Sequence, residues 1–453
     1  MNGADARHYM RISAPRTPQI HLIENASGGH LFIADGSRLF EADADLFATY
    51  SAAMQQGGTE AIDELLRRAG VVGQPFVDDT PVSSPPLRAL SLAIAQKCNL
   101  GCTYCYAQQG EFGGLAKNMA LADALRAVEL LVGAAEPGAR LNLAFLGGEP
   151  LVNRKVLRAA TERALELANG RGAKITFSIT TNGTLLSEDD GRFFEEHGFA
   201  VTISLDGPQE VHDALRPFKG GRGSYDTIMK RVEPLLKLQQ KMQVSARVTV
   251  TPSNLSLQRT LDSFIAAGFH SVGFSPMLSA PTGEGEMQSR DLELMLGEMI
   301  DCGREFERAS RRGQRYPFAN MVNAMREIHR GTHRPYPCGA GAGYLGVSAD
   351  GELAACHRFV GDEDGAMGSL EQGVDVSRQA DWLAARHVHR QEPCRSCWAR
   401  YLCGGGCHHE VIRRGRPACD YIRGWLHYCL EAYLRLSSEP GSTGLGLPGT
   451  AHG

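Results

Sequence analysis

Three cysteines stand close together in Cys98-Asn99-Leu100-Gly101-Cys102-Thr103-Tyr104-Cys105. Their spacing offers three thiolates from one short loop and no fourth. A cubane iron–sulfur cluster has four irons, so three protein thiolates leave one iron open to another ligand. Zinc is the alternative, because its sites also use cysteines at short spacings. Positions 87–95 run into the loop as a mostly apolar, strand-like segment. The loop is therefore expected at the C-terminal end of a strand, where α/β proteins place their ligands.

The elements that must position this loop alternate between strand and helix. Strand candidates fall at 91–95, 141–146, 175–180, 200–205, 243–250 and 271–275, with helical patterns at 121–133, 154–168 and 225–239 among them. Such βα repeats predict an α/β fold, a partial (β/α)6 barrel of TIM type over 87–312. Before it, residues 1–20 read as disordered, and short strands followed by helices make a small α+β winged-helix-like module of 21–70. A Pro/Ser-rich linker covers 71–86, a cysteine-rich domain covers 313–435, and a Gly/Pro-rich tail at 436–453 reads as disordered.

Further motifs sit at the predicted strand ends. Gly147-Gly148-Glu149-Pro150 follows the second strand, where the glycines would let a ligand approach the backbone and Glu149 would accept from an ammonium group. Ser178-Ile179-Thr180-Thr181-Asn182-Gly183 follows the third and Ser204-Leu205-Asp206-Gly207 the fourth. A second cysteine constellation comprises Cys338, Cys356, then Cys394, Cys397, Cys403 and Cys407, and finally Cys419. These are too many ordered thiols for apolar packing, and a pair of zinc ribbons is the rival to iron–sulfur ligation.

Composition bounds the rest. The 453 residues carry a net charge of −4, 43% hydrophobic residues and 12 cysteines. That balance gives no electrostatic case for nucleic acid or an anionic membrane, and the basic run at 311–315 reads as a solvated helix end or loop. With no apolar leader and no stretch long enough to span a bilayer, the expectation is a cytoplasmic protein. In that compartment thiols stay reduced, so clustered cysteines are expected to bind metal.

The motifs from 87 to about 274 resemble the radical S-adenosylmethionine (SAM) superfamily. The resemblance implies that Cys98, Cys102 and Cys105 hold a [4Fe–4S] cluster whose open iron chelates SAM. It further implies that Gly147, Gly148 and Glu149 receive the SAM amino group and that Tyr104 lies near the adenine. Ser178, Asn182, Ser204, Asp206 and Arg216 become candidates for the ribose and carboxylate ends. One-electron cleavage of SAM would then give a 5′-deoxyadenosyl radical.

The later cysteines resemble the SPASM domain, which implies two auxiliary [4Fe–4S] clusters. By that resemblance Cys394, Cys397, Cys403 and Cys419 hold one, while Cys338, Cys356 and Cys407 hold the other, one thiolate short. The module at 21–70 resembles the precursor-recognition elements of peptide-modifying enzymes. The strings IAQKCNLGCTYCYAQQGEFGG, NLAFLGGEPL, FSITTNGTLL and AVTISLDGPQEVHDALRPF resemble the maturation-protein family of quinohemoprotein amine dehydrogenase. That implies a peptide maturase forming thioethers between cysteine sulfur and the methylene carbon of aspartate or glutamate, in a small Cys-rich γ subunit. A reducing partner such as flavodoxin or ferredoxin is expected, with no nucleic acid and no membrane partner. The alternatives are a sactipeptide-type or anaerobic sulfatase maturase and, more remotely, a zinc-stabilised interaction module. Asp206, Asp213, Glu149, His357, His408 and His409 are conceivable proton acceptors, and nothing in the sequence chooses among them. Cys302 and Cys429 read as core residues.

Overall fold

The structure, a computed structural model, describes residues 3–25, 28–56, 58–71 and 75–438. The chain opens with helix α1 (Gly3–Ile12), not with disorder over 1–20. Strands β1 (Ile20–Asn25), β2 (Gly28–Ile33) and β3 (Arg38–Ala42) then pair antiparallel in sequence order. Helices α2 (Ala44–Gln56) and α3 (Gly58–Arg68) pack Tyr50, Ile62 and Leu66 against Ile20, Leu31 and Ile33. Positions 72–74 of the expected linker and 439–453 of the expected tail lie outside the described residues.

The βα region follows as β4 (Ala89–Gln96), β5 (Lys117–Asn118), α4 (Leu121–Gly133), β6 (Arg140–Gly147), α5 (Arg154–Gly170), β7 (Lys174–Thr181) and α6 (Glu188–Glu196). It continues through β8 (Ala200–Ser204), α7 (Gln209–Leu215), α8 (Tyr225–Leu238), β9 (Gln243–Val250), α9 (Leu257–Ala266) and β10 (Ser271–Pro276). The long strands lie parallel in the order β10-β9-β8-β7-β6-β4. Parallel neighbours require crossover connections, and the intervening helices supply them. Alternation decides which face those helices cover. Leu141, Leu143 and Phe145 on β6, Phe177 and Ile179 on β7 and Val201 and Ile203 on β8 are buried, as are Val128 and Leu131 of α4, Leu157 and Ala160 of α5 and Phe194 of α6. Each fully buried large side chain contributes about 1.5–3 kcal/mol. The opposite face carries Asn142, Thr176, Ser178, Thr180, Thr202, Ser204, Ser245, Arg247 and Thr249, small or polar residues that leave it able to receive polar ligands.

The remaining elements are α10 (Ser289–Arg311), α11 (Ala319–His329), β11 (Tyr344–Val347), β12 (Glu352–Ala354), β13 (Ala366–Ser369), β14 (Gly373–Val374), α12 (Val376–Arg386), α13 (Arg400–Cys403), α14 (His408–Arg414) and α15 (Cys419–Ser437). Two compact units result, and neither follows the boundary expected at 312. The first joins Met1–Pro81, Gln288–Cys338 and Ala384–Gly453; the second joins Val82–Met287 and Gly339–Leu383. The stretch expected to form one domain over 313–435 is divided because β11 adds to the parallel sheet on the free edge of β4. An unpaired strand edge is a row of unmet hydrogen-bonding groups, and β11 to β14 cover it.

In the first unit α1 is ordered by tertiary contacts rather than propensity. Ala6 is fully buried, Asp5 pairs with Arg304 at 2.9 Å, and the Tyr9 hydroxyl donates to Glu431 at 2.8 Å. Helices α10 and α15 approach closely at glycines: a Cβ on Gly303 would stand 2.3 Å from the Tyr428 ring, and one on Gly424 2.7 Å from Leu296. Among the described residues no helix is long and apolar enough to cross a membrane. Replacing Gly303 with alanine should therefore destabilise the protein by about 2 kcal/mol, although alanine is the better helix former, because overpacking outweighs propensity. Chemical denaturation would measure the loss.

Candidate iron–sulfur and SAM site

Strand β4 ends at Gln96 and releases the loop carrying Cys98, Cys102 and Cys105. The chain's own backbone holds that loop. The Gly148 N–H donates to the Ala95 carbonyl at 2.8 Å and the Glu149 N–H to the Lys97 carbonyl at 3.0 Å. A Cβ on Gly147 would lie 2.4 Å from the Ala95 oxygen, and one on Gly148 2.3 Å from the Lys97 oxygen. Gly147 also adopts a φ of +140°, which disfavours a side chain. These glycines thus make room for the cysteine loop.

Glu149 is fully buried and fastens the next strand. Its Oε1 accepts from the Leu151 N–H at 3.0 Å and the Thr181 hydroxyl at 2.7 Å, and its Oε2 from the Asn182 N–H at 2.8 Å. Burial pushes its pKa up, while those donors pull it down. A carboxylate has about four acceptor sites, so most of its capacity is committed to the fold. Asn182 turns its side-chain NH2 to the Asn99 oxygen at 2.9 Å and to the Cys98 sulfur at 3.6 Å; the Leu100 N–H reaches the same sulfur at 3.5 Å. Donors to a ligating sulfur stabilise its thiolate and tune a cluster.

A second group gathers on the other side of the loop. The Tyr104 hydroxyl donates to Asp206 and accepts from Arg216 at 2.7 Å, while Arg216 and Asp206 pair at 3.8 Å. Asp206 is fully buried and also accepts from the Thr249 N–H at 3.0 Å. Burial raises its pKa against the pull of Arg216. Arg216 is buried, not a surface residue, and its Nε has no hydrogen-bond partner. Leu215, Met277 and Ala280 enclose the Tyr104 ring. His212, unforeseen from sequence, accepts the Asp206 N–H at 3.2 Å on Nδ1, so its Nε2 carries the proton and donates to the Ser224 hydroxyl at 3.0 Å. Its six-residue offset from Asp206, within a short helix after the strand end, was the available signal. Asp213 receives the Ser224 and Tyr225 N–H groups at 2.7 and 2.8 Å, so it holds a helix entry rather than standing ready as a base. Ser178 lies opposite Ala144 and Ala200 in mid-strand and Ser204 opposite Arg247, both on the polar face.

Burial raises the Cys98 pKa and pushes Cys102 up to about 12, with Cys105 adding to both and Arg216 opposing. In the first unit burial pushes Cys394 up to about 12, with Arg416 opposing and Cys403, Cys419 and Cys397 adding, so those four sulfurs share one neighbourhood. Cys356 belongs to the second unit, whereas Cys338 and Cys407 belong to the first. His408 is held neutral, its pKa lowered to about 4 by burial, Arg386 and Arg416. Cys302 and Cys429 are fully buried core residues. Among the described residues no three His, Cys, Asp or Glu side chains close on a single-ion position. Three clustered thiols, the donors at Cys98 and the unmatched Arg216 Nε nonetheless form a donor set suited to an anionic cluster and a carboxylate-bearing ligand.

Placing a methyl group at Gly148 should displace the cysteine loop, since the obstacle is backbone. The Gly148→Ala protein is expected to bind iron at this loop at least about ten-fold more weakly, measured by chelator competition. His212 supplies a pH test, because its folded pKa is about 3. Neutral His212 stabilises the fold fully above the unfolded value near 6.5, and that stabilisation is lost as pH falls below it. About 2 kcal/mol should disappear between pH 7 and pH 5 in the iron-free chain, and His212→Asn should abolish this component.

Comparison with known proteins places this geometry. The Radical SAM superfamily model matches residues 92–264. A serine-type anaerobic sulfatase-maturating enzyme of Bacteroides thetaiotaomicron is 30% identical over 386 residues, 76% of this chain and 88% of that protein. The solved structure "Native anSMEcpe with bound AdoMet" superposes with a TM-score of 0.65 at 19% identity, covering 78% of this chain and all of its own. Streptococcus suis SuiB bound to its precursor peptide SuiA gives a TM-score of 0.53 at 15% identity, covering 88% of this chain and 97% of that one. The chain belongs to the radical SAM superfamily, an enzyme using SAM and iron–sulfur clusters and a relative of the anaerobic sulfatase-maturating enzymes.

Proposed function

We propose that this enzyme is a maturase of a polypeptide, forming intrapeptidyl thioethers between cysteine sulfur and the methylene carbon of aspartate or glutamate. The substrate is the small Cys-rich γ subunit of quinohemoprotein amine dehydrogenase. When bound, SAM and its cluster supply one-electron chemistry that removes hydrogen from an unactivated C–H bond. The observation that carries a precursor-peptide reading is the module of β1 to β3 with α2 and α3. β3 is an edge strand carrying the exposed Phe40, a surface to which an extended peptide can add as a further strand. SuiB, which covers 88% of this chain, is solved with a precursor peptide bound, in keeping with the same reading.

The chain's own residues prepare the site. Asn182 and the Leu100 N–H steady Cys98, and Arg216 offers its unmatched Nε to a ligand carboxylate. An auxiliary cluster would be held by Cys394, Cys397, Cys403 and Cys419. Electrons would come from a flavodoxin- or ferredoxin-type donor, and the reaction would take place in the cytoplasm.

A second reading has support in the sulfatase-maturating relatives, which implies oxidation of one serine or cysteine to formylglycine. Mass spectrometry separates the two. Incubation of the reduced enzyme with SAM and the γ subunit should remove two hydrogens per bond and consume cysteine thiols. An unchanged γ subunit alongside conversion of a sulfatase peptide would establish the second reading instead.

A further inference from the structure

The four sulfurs of Cys394, Cys397, Cys403 and Cys419 arrive on three pieces of chain, Cys394 and Cys397 sharing one turn. Cys394 follows Gln391 and Glu392; Cys403 ends α13 and is followed by Gly404, Gly405 and Gly406; Cys419 opens α15. The three glycines all have positive φ, 69°, 98° and 79°, which curls the turn so that the Gly405 and Gly406 N–H groups reach Cys403. A Cβ on Gly405 would stand 4.0 Å from the Cys394 sulfur.

One side chain touches all of these pieces. Arg416, three residues before Cys419, donates from Nε to the Glu392 carbonyl at 3.1 Å, from Nη1 to the Gly405 carbonyl and from Nη2 to the Gln391 side-chain oxygen. Gln391 in turn donates to the Arg386 carbonyl. A planar guanidinium can serve three acceptors in one fork, which an ammonium cannot match. None of these acceptors is charged. The cation of Arg416 therefore remains uncompensated by them, and its field reaches Cys394, Cys419 and Arg386. The Arg416 guanidinium beside the Cys394 and Cys419 sulfurs, with Arg423 also acting on Cys419, makes a place for an anion, and a thiolate-ligated cluster is one.

We propose that Arg416 is the positioning residue of the Cys394, Cys397, Cys403 and Cys419 site, clamping the segments that carry its thiols and setting the potential of the cluster they hold. The proposal rests on the reading of those cysteines as auxiliary-cluster ligands. As a positive charge beside the cluster, Arg416 favours the reduced state and raises its reduction potential. As a fork, it opposes the opening of the loops through which iron would leave.

The test uses the full chain carrying alanine at Cys98, Cys102 and Cys105, so that the auxiliary sites are read alone. Absence of iron–sulfur absorbance in this background would remove the ligand reading itself. With iron present, Arg416→Gln should speed chelator-driven iron loss roughly ten- to a hundred-fold and lower the midpoint potential followed by electron paramagnetic resonance. Arg416→Lys should restore the potential while leaving iron loss fast, which a purely structural role would not do. Unchanged potential and iron loss in Arg416→Gln would overturn the proposal. Should that chain not fold, the lysine chain decides: iron loss as slow as in the parent chain overturns the clamp.

Discussion

The active unit depends on backbone meeting backbone with nothing between. Two hydrogen bonds join the end of β4 to the Gly148–Glu149 peptide, and the glycine Cβ positions are filled by carbonyl oxygens. No side chain can enter that contact. From it follow the direction in which the cysteine loop leaves the sheet and the burial of Glu149 beneath it. A buried carboxylate is tolerated only when its lone pairs are met, and Thr181, Asn182 and Leu151 meet them. The third strand is thereby locked to the second at the level of Cys98. The loop geometry is thus inherited from main-chain interactions.

The other side of the loop is electrostatic. Asp206 and Arg216 are both taken out of water, and each makes the other affordable with the Tyr104 hydroxyl between them. Neutral His212 beneath them adds a hydrogen bond without adding a charge. An arginine whose Nε is left unmatched in such a place is a fixed dipole and charge held without reorganisation.

The far cysteine site solves a related problem by different means. Its thiols come from segments that no sheet aligns, so a run of left-handed glycines and a single guanidinium bring them together. Helix α15 then anchors Cys419 through glycine-mediated contact with α10 and through α1. This explains why α1 is ordered although its sequence is polar and short. Its stability comes from Asp5, Ala6 and Tyr9 meeting residues near 300 and 430, which no local pattern reveals.

The alternating strands and the cysteine spacings were legible because both are local periodicities: a strand repeats every two residues, and a metal loop is a few residues long. The parallel sheet followed from these, and the superfamily from the resemblance of the motifs set along them. What the sequence left open depended on residues far apart in the chain. It did not reveal that Gly147 and Gly148 pack against carbonyl oxygens at the end of β4, that Asp213 holds a helix entry, or that β11 extends the sheet and divides the cysteine-rich region. Nor did it single out Arg416 among its many arginine neighbours. Local spacing determines which groups can emerge together, whereas close approach, burial and charge compensation are properties of three-dimensional neighbours and are decided only when the chain closes on itself.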